Sequence, residues 1–334
     1  MFDVLTIGDA AYDIFIKPDS SNIIKKYDKD YFNFSLGSKV AVDEADFKVG
    51  GSAANVAAGL CKLGLSSGIC GQLGADDFAK DIEKKLAEEG ISVDYLKNKS
   101  KNKTNFSVIL RGQKDRTILV YHGFDHYGDL PLPKKKVSEW FYLSPLGKGY
   151  EDLTNKITSL RAEKNIKLAF NPGTLQLENY RNILPLLRIT NILFVNVEEA
   201  IKVVDWRGAK PTIKNLLKSI TEKGIKIAVI TKGREGVAVS DGSYFFEAPA
   251  FPADRVDVTG AGDSFAAGFL TSVILDEKSE EKLSQEDLLK RSIEWGSVNS
   301  SSVIEKVGAQ DGLLTVNEIQ KKLNSHNPLK IVEI

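Results

Sequence analysis

The sequence predicts an α/β fold: a central, mainly parallel β-sheet flanked by helices, with a small β-sheet lid standing on it. Three observations carry that prediction. Short apolar runs alternate with helical stretches along most of the chain, the pattern of a parallel sheet covered on both faces. Residues 12–17 and 104–121 read as strands with no crossover helix. The last third is helical. No internal repeat or low-complexity tract interrupts the 334 residues, so one domain over residues 1–334 is expected.

Taken in order, Phe2–Ile7 reads as a buried strand ending at Gly8. Residues 52–63 read as a helix, with Ser52 as its N-cap, Ala53, Val56, Ala57, Leu60 and Leu63 at helical spacing, and Gly64 as its stop. Further strands are expected at 140–143, 167–170, 192–195 and 226–230, with helices at 152–163, 180–187, 198–204 and 213–223 between and after them. Residues 261–275, 285–301 and 316–323 complete the helical last third. The lid is assigned to about 12–17, 35–49 and 104–123, with a hairpin turn around Arg111-Gly112-Gln113.

Composition excludes several classes. Lys plus Arg and Asp plus Glu both number 45, so no net charge favours nucleic acid. The run Lys134-Lys135-Lys136 lacks interleaved aromatics and reads as a solvated surface. No segment approaches the roughly 18 apolar residues of a spanning helix, so no membrane partner is expected. Met1-Phe2-Asp3-Val4-Leu5 enters strand-like sequence without a basic region or cleavage signature. Cys61 and Cys70 fit neither a disulfide framework nor a CxxC pair. A cytoplasmic setting is the expectation.

The strongest chemical signal is Asp257-Val258-Thr259-Gly260-Ala261-Gly262-Asp263, followed directly by helical sequence. Small residues at a helix start turn several backbone N–H groups and the positive end of the helix dipole toward one point. That is an anion site, and a good one for charge developing during phosphoryl transfer. A carboxylate placed there would repel a merely bound phosphate, but it makes sense as the base for an attacking hydroxyl. From the residues alone, a helix start capped by Asp263 explains the segment equally well. A second cluster, Gly50-Gly51-Ser52-Ala53-Ala54-Asn55, opens the first long helix. Its glycines allow unusual backbone angles and close ligand approach, and the Asn55 amide suits a hydroxyl. A plain turn and packed helix is the rival reading.

The first segment resembles the C-terminal signature of the ribokinase-like (PfkB) carbohydrate kinases, Asp-Thr-x-Gly-Ala-Gly-Asp, with Val258 at its second position. The resemblance implies a ribokinase-like fold and an ATP-dependent phosphotransferase with an alcohol acceptor. It makes Asp263 the catalytic base and Gly260, Ala261 and Gly262 the anion hole. The Gly-Gly-x-x-x-Asn signature of the family matches Gly50, Gly51 and Asn55, which then contact substrate, the glycines also serving as a lid hinge. Gly8 and Asp13 fit its companion spacing, with Asp13 accepting two sugar hydroxyls. Asn196-Val197-Glu198-Glu199 resembles the Asn-x-x-Glu motif, so Asn196 and Glu199 organise Mg²⁺ through water, and Asn196 also serves the nucleotide. Thr231, Gly233 and Gly236 match the stretch near the ATP phosphates and ribose, and Asn299 is a candidate adenine contact. Lys306-Val307-Gly308-Ala309-Gln310 resembles the closing element, beside which relatives often hold a monovalent cation such as K⁺.

The motifs run in family order from Gly8 to Gln310. The implied function is transfer of the γ-phosphate to a hydroxyl, a primary one by expectation, of a small sugar such as ribose or fructose, with a nucleoside as the alternative acceptor. Ser52 and Ala11 stand where ribose-specific relatives carry Lys and Asn, and Gly-Gly-Ser-Ala-Ala-Asn is similar to nucleoside-phosphorylating members. Asn171-Pro172-Gly173 departs from the usual Asp-x-Asn. Some relatives pair their lids, so a homodimer through the lid belongs to the same expectation. Rival readings lack their residues. Gly147-Lys148 has Tyr142 where a P-loop needs glycine, and Gly8-Asp9-Ala10-Ala11 is not a dinucleotide fingerprint. His122 and His126 have no third zinc ligand in view. A catalytically dead sugar sensor is the non-enzyme alternative.

Overall fold

The structure is a computed structural model and describes every residue except 28, 100, 113, 114 and 125. Strand β1 (Phe2–Ile7) is followed by β2 (Ala11–Pro18), which leaves the main sheet. A separate hairpin of β3 (Ile23–Lys26) and β4 (Lys29–Phe32) precedes β5 (Val42–Gly50). Helix α1 (Ser52–Lys62), β6 (Ser67–Gly74), α2 (Asp77–Glu88) and β7 (Ser92–Lys99) return to the main body. A second excursion forms β8 (Phe106–Arg111) and β9 (Arg116–Tyr121). From β10 (Ser138–Leu143) the chain alternates through α3 (Glu151–Lys164), β11 (Lys167–Phe170), α4 (Thr174–Glu178), α5 (Tyr180–Ile189), β12 (Ile192–Asn196), α6 (Val197–Val204), α7 (Ile213–Thr221) and β13 (Ile227–Thr231). The strands β14 (Val237–Ser240) and β15 (Phe245–Ala248) form a hairpin. Helices α8 (Ala261–Lys278), α9 (Gln285–Val303) and α10 (Val316–Ser325) and strand β16 (Val332–Glu333) complete the chain.

Ten strands form the main sheet in the order β16-β15-β14-β13-β12-β11-β10-β1-β6-β7. From β13 to β7 neighbouring strands are parallel, and the β14–β16 end is antiparallel. Burial on both faces explains why the parallel strands read as unbroken apolar runs. One face packs on α3, α5, α6 and α7 through Leu153, Ile157, Leu186, Val203 and Leu217. The other packs on α1, α8 and α9 through Val56, Leu60, Phe269, Leu270 and Leu289. Connections leave β1 toward β6 on one side and reach β10 on the other, so a crevice opens at the carboxyl ends of these strands.

The lid is a four-stranded sheet in the order β5-β2-β8-β9. It matches the expected excursions except at residues 35–41, which form no strand, and at 20–32, which contribute the unforeseen β3–β4 hairpin. Gln113 of the expected turn lies outside the described residues. Ser52 is not the cap of α1. Gly51 occupies that position at φ 90° and supplies no side-chain cap, while Ser52 is the first helical residue.

Candidate active site

The two glycines before α1 are fixed by crowding. A Cβ on Gly50 would lie 2.0 Å from Asp13 Oδ2, and one on Gly51 would lie 2.5 Å from the Asp9 carbonyl oxygen. A side chain at Gly50 would therefore collide with the Asp13 carboxylate. Asp13 stands on β2, opposite Lys48 of β5 and Ser107 of β8. Burial pushes its carboxyl up to about 6; a hydrogen bond from Ser107 opposes the rise, and the charges of Asp257 and Asp263 add to it.

Across the crevice, the start of α8 is built around a loop that Asp257 ties together. Its Oδ1 accepts from the Thr259 N–H (3.0 Å) and Oγ1 (2.8 Å), and its Oδ2 from the Gly308 N–H (3.0 Å). Gly260 adopts φ 75°, and a Cβ there would meet that of Ala309 at 2.4 Å, so glycine is required for backbone and packing alike. A Cβ on Gly262, by contrast, would meet nothing within 4 Å. The Ala261 amide closes a turn on the Val258 carbonyl (3.3 Å). Among the described residues the Gly260, Gly262 and Asp263 amides have no acceptor, so of the expected Gly260–Gly262 set only the Ala261 amide is engaged.

Asp263 lies in the first turn of α8. Its Oδ1 accepts from Ser52 Oγ at 2.5 Å and its Oδ2 from Asn55 Nδ2 at 2.8 Å. Asn55 Oδ1 in turn accepts from Gln310 Nε2 at 3.0 Å. Asn55, expected to meet substrate, thus has both ends of its amide engaged in holding the carboxylate. Desolvation raises the Asp263 carboxyl above the ordinary aspartate range, and the Ser52 and Asn55 bonds pull it partly back. The buried Tyr142 phenol adjoins the group: after desolvation, the Asp263 charge is the largest influence raising it, and Ser52 lowers it.

Thr231, Gly233 and Gly236 line a cavity of about 480 Å³ with Ala261, Gly262, Phe251, Phe265, Ser300 and Ile304. Asn299 does not line it. Its side chain is enclosed, with Nδ2 donating to the Ser264 carbonyl (2.8 Å) and Oδ1 accepting from the Leu314 N–H (3.1 Å). The cavity wall on α9 is made instead by Ser297, Ser300 and Ser301. Asn196 and Glu199 form a reciprocal capping box on α6, with Asn196 Oδ1 accepting from the Glu199 N–H (2.9 Å) and Glu199 Oε2 from the Asn196 N–H (2.8 Å). Glu199 keeps Oε1 without a protein donor among the described residues, and burial raises its carboxyl. An oxygen of that kind fits a water-bridged Mg²⁺, which takes few protein ligands. No group of three or more His, Cys, Asp or Glu among the described residues forms a metal cage. His126 pairs with Asp152 at 3.7 Å, whereas His122 acts on Asp9.

Asp9 escaped the sequence reading. Tyr127 Oη donates to both its oxygens (2.9 and 3.1 Å), and desolvation raises its carboxyl to about 6 against that bond and the His122 charge. Its place directly after the strand-ending Gly8 was the available signal. Ser52, Gln310 and Asp257 were visible in motifs, but their tertiary partners were not.

A carboxylate anchored beside free helix-start amides, between a polar crevice and an adjoining cavity, suits a phosphotransferase with an alcohol acceptor. The family profile described as "pfkB family carbohydrate kinase" matches residues 1–316, and the chain belongs to that family. A fructokinase of Escherichia coli is 28% identical over 236 residues, covering 67% of this chain and 76% of that one. A nucleoside kinase of Methanocaldococcus jannaschii is 26% identical, covering 86% and 90%. A crystal structure of the nucleoside kinase from that organism superposes with a TM-score of 0.77 at 23% identity, over 97% of this chain and 99% of the other. An Escherichia coli protein described as a ribokinase II, in complex with ATP and Mg²⁺, gives 0.77 at 17% identity over 98% and 100%. The fold is ribokinase-like, and ATP and Mg²⁺ fit the family. Among the described residues no helix is long and apolar enough to cross a membrane.

Proposed function

We propose that this kinase uses ATP with Mg²⁺ to phosphorylate a hydroxyl, preferentially a primary one, of a small sugar such as ribose or fructose, with residues 1–334 acting as one catalytic unit. The observation that carries the reading is Asp263, held by Ser52 and Asn55 beside the free Gly262 amide. The sugar lies between lid and sheet, with two hydroxyls donating to Asp13. The nucleotide lies in the cavity near Thr231, Gly233 and Gly236. Asp263 takes the hydroxyl proton, the oxygen attacks the γ-phosphorus, and the bond to the β-phosphate oxygen breaks to release ADP. The free Gly260, Gly262 and Asp263 amides receive the charge that develops. Glu199 and Asn196 would hold Mg²⁺ through water, and the ion would neutralise phosphate charge. Desolvation strengthens Asp263 as a base, but only its ionised form works, so the rate falls as pH drops through its raised value.

A nucleoside acceptor is the second reading, supported by the Gly-Gly-Ser-Ala-Ala-Asn start of α1 and by the nucleoside kinase relative. A sugar sensor without catalysis does not need an anchored base beside free amides. The same proposal includes a monovalent cation such as K⁺ near residues 306–310, where buried Asp257 has no cationic partner among the described residues, and a cytoplasmic setting. It also includes a homodimer through the lid, whose Phe47, Leu119 and Val120 are about half exposed. The decisive experiment is ATP consumption over ribose, fructose, phosphorylated hexoses, 2-keto-3-deoxygluconate and nucleosides, with and without K⁺. No turnover with any acceptor, or turnover equal in Asp263→Asn, removes the proposal.

A further inference from the structure

Two arginines line the 480 Å³ cavity, and a third, from the lid, lies close enough to one of them to repel it. Arg234 follows β13 and Arg255 precedes the Asp257 loop, and both line the cavity. Arg116 opens β9 in the lid. Its Nε is enclosed with no hydrogen-bond partner, and none of the three side chains makes an ion pair among the described residues. They are near enough to repel: beyond desolvation, the charges of Arg234 and Arg116 make Arg255 release its proton more readily, and Asp115 alone opposes them. Asp115 Oδ1 already accepts from the Arg116 backbone N–H (2.8 Å). Converging guanidiniums without carboxylate partners form a site for a polyanion with planar, bidentate oxygens.

The cavity says which polyanion. One wall is apolar, with Val237, Phe251, Phe265 and Ile304, and suits a base. The far end is the α8 start with Gly262. Arg234 and Arg255, which line the same cavity, can meet the charges of a ligand that spans both ends. We propose that Arg234, Arg255 and the lid residue Arg116 together clamp the polyphosphate of the donor nucleotide, so that donor binding draws the β8–β9 hairpin over the crevice. The inference rests on the placement of the nucleotide under the proposed function. Its consequence is coupling between the two substrates. Strand β8 carries Ser107, which bonds the Asp13 carboxylate, and pairs with β9, which carries Arg116. One hairpin thus touches the acceptor side with one strand and the donor side with the other, and each ligand raises the affinity of the other by the same factor.

The test is calorimetric titration of the full chain with AMP, ADP and β,γ-methylene-ATP, each with Mg²⁺, alongside hydrogen exchange of the lid amides. Loss of a guanidinium contact is expected to weaken ADP and the ATP analogue about tenfold or more in Arg234→Gln and Arg255→Gln, while AMP affinity stays the same and reports an intact fold. In the wild type the ATP analogue protects β8–β9 amides and AMP does not; in Arg116→Gln that protection is lost. Unchanged ADP and analogue affinities in the Arg116→Gln/Arg255→Gln double variant, or protection that persists in Arg116→Gln, overturns the clamp and leaves the nucleotide placement standing. A wild type that binds none of the three nucleotides overturns both.

Discussion

Replacing Asp13 by asparagine is expected to make the protein more stable and a poorer enzyme, in a way that depends on pH. Burial beside Asp257 and Asp263 raises the Asp13 carboxyl from 3.8 to about 6, which corresponds to roughly 3 kcal/mol of unfavourable ionisation in the folded state. A folded-state value above the unfolded one means stability is fully present below the unfolded value and lost as pH rises through the folded value. At pH 8 the wild type carries the whole cost and Asp13→Asn carries none, so the variant gains up to about 3 kcal/mol. By pH 5 about half of that gain is gone, and below about pH 3.8 it vanishes. Urea unfolding at pH 5 and pH 8 measures it. The same variant turns a charged acceptor into a neutral one, which weakens two hydroxyl contacts and raises the acceptor KM by roughly ten- to a hundredfold. An Asp13→Asn protein that is less stable than wild type at pH 8, or whose stability difference is the same at both pH values, refutes the account of this carboxylate.

Asp263→Asn should lower kcat by about two to four decades while acceptor affinity, read by calorimetry, moves only a few-fold. Ser52→Ala removes the 2.5 Å bond that lowers the Asp263 carboxyl; the acid limb of its kcat/KM profile should therefore shift to higher pH by about one unit, the weight of one hydrogen bond to a charged group. Gly262→Ala meets no protein atom, so its melting temperature should match wild type while kcat falls at least tenfold, roughly, because the methyl enters the space beside the free amide. Gly260→Ala should instead be destabilised by about 2 kcal/mol or more from the φ of 75° and the Ala309 contact, which a melting curve distinguishes from the Gly262 result.

Most of the scaffold was legible because periodicity is a local property. Phe2–Ile7 and Lys167–Phe170 appear where the apolar runs lie. Strand β6, Ser-Gly-Ile-Cys-Gly-Gln-Leu-Gly, carries no such signal, since it is buried along its whole length and rich in glycine. The motifs name residues that the fold brings together, but motif spacing does not reveal the partners of each side chain. Ser52 looks like a helix cap until the fold brings Asp263, 211 positions away, within reach of its hydroxyl. Asn55 and Asn299 look like ligand contacts because amides are versatile, yet in the fold each bonds internally at both ends of its amide, Asn55 to Asp263 and Gln310 and Asn299 to Ser264 and Leu314. Arg116, Arg234 and Arg255 come from three segments that nothing in the linear order relates.

The anchoring of Asp263 by the first turn of α1 divides the acceptor pocket into a wall that tolerates redesign and one that does not. Changing Ser52 or Asn55 to admit a new sugar detunes the proton acceptor at the same stroke. The lid wall on β2 and β8 makes no bond to Asp263, so diversification of acceptor preference on this scaffold has more room there than at the helix, as long as the bond from Ser107 to Asp13 is kept.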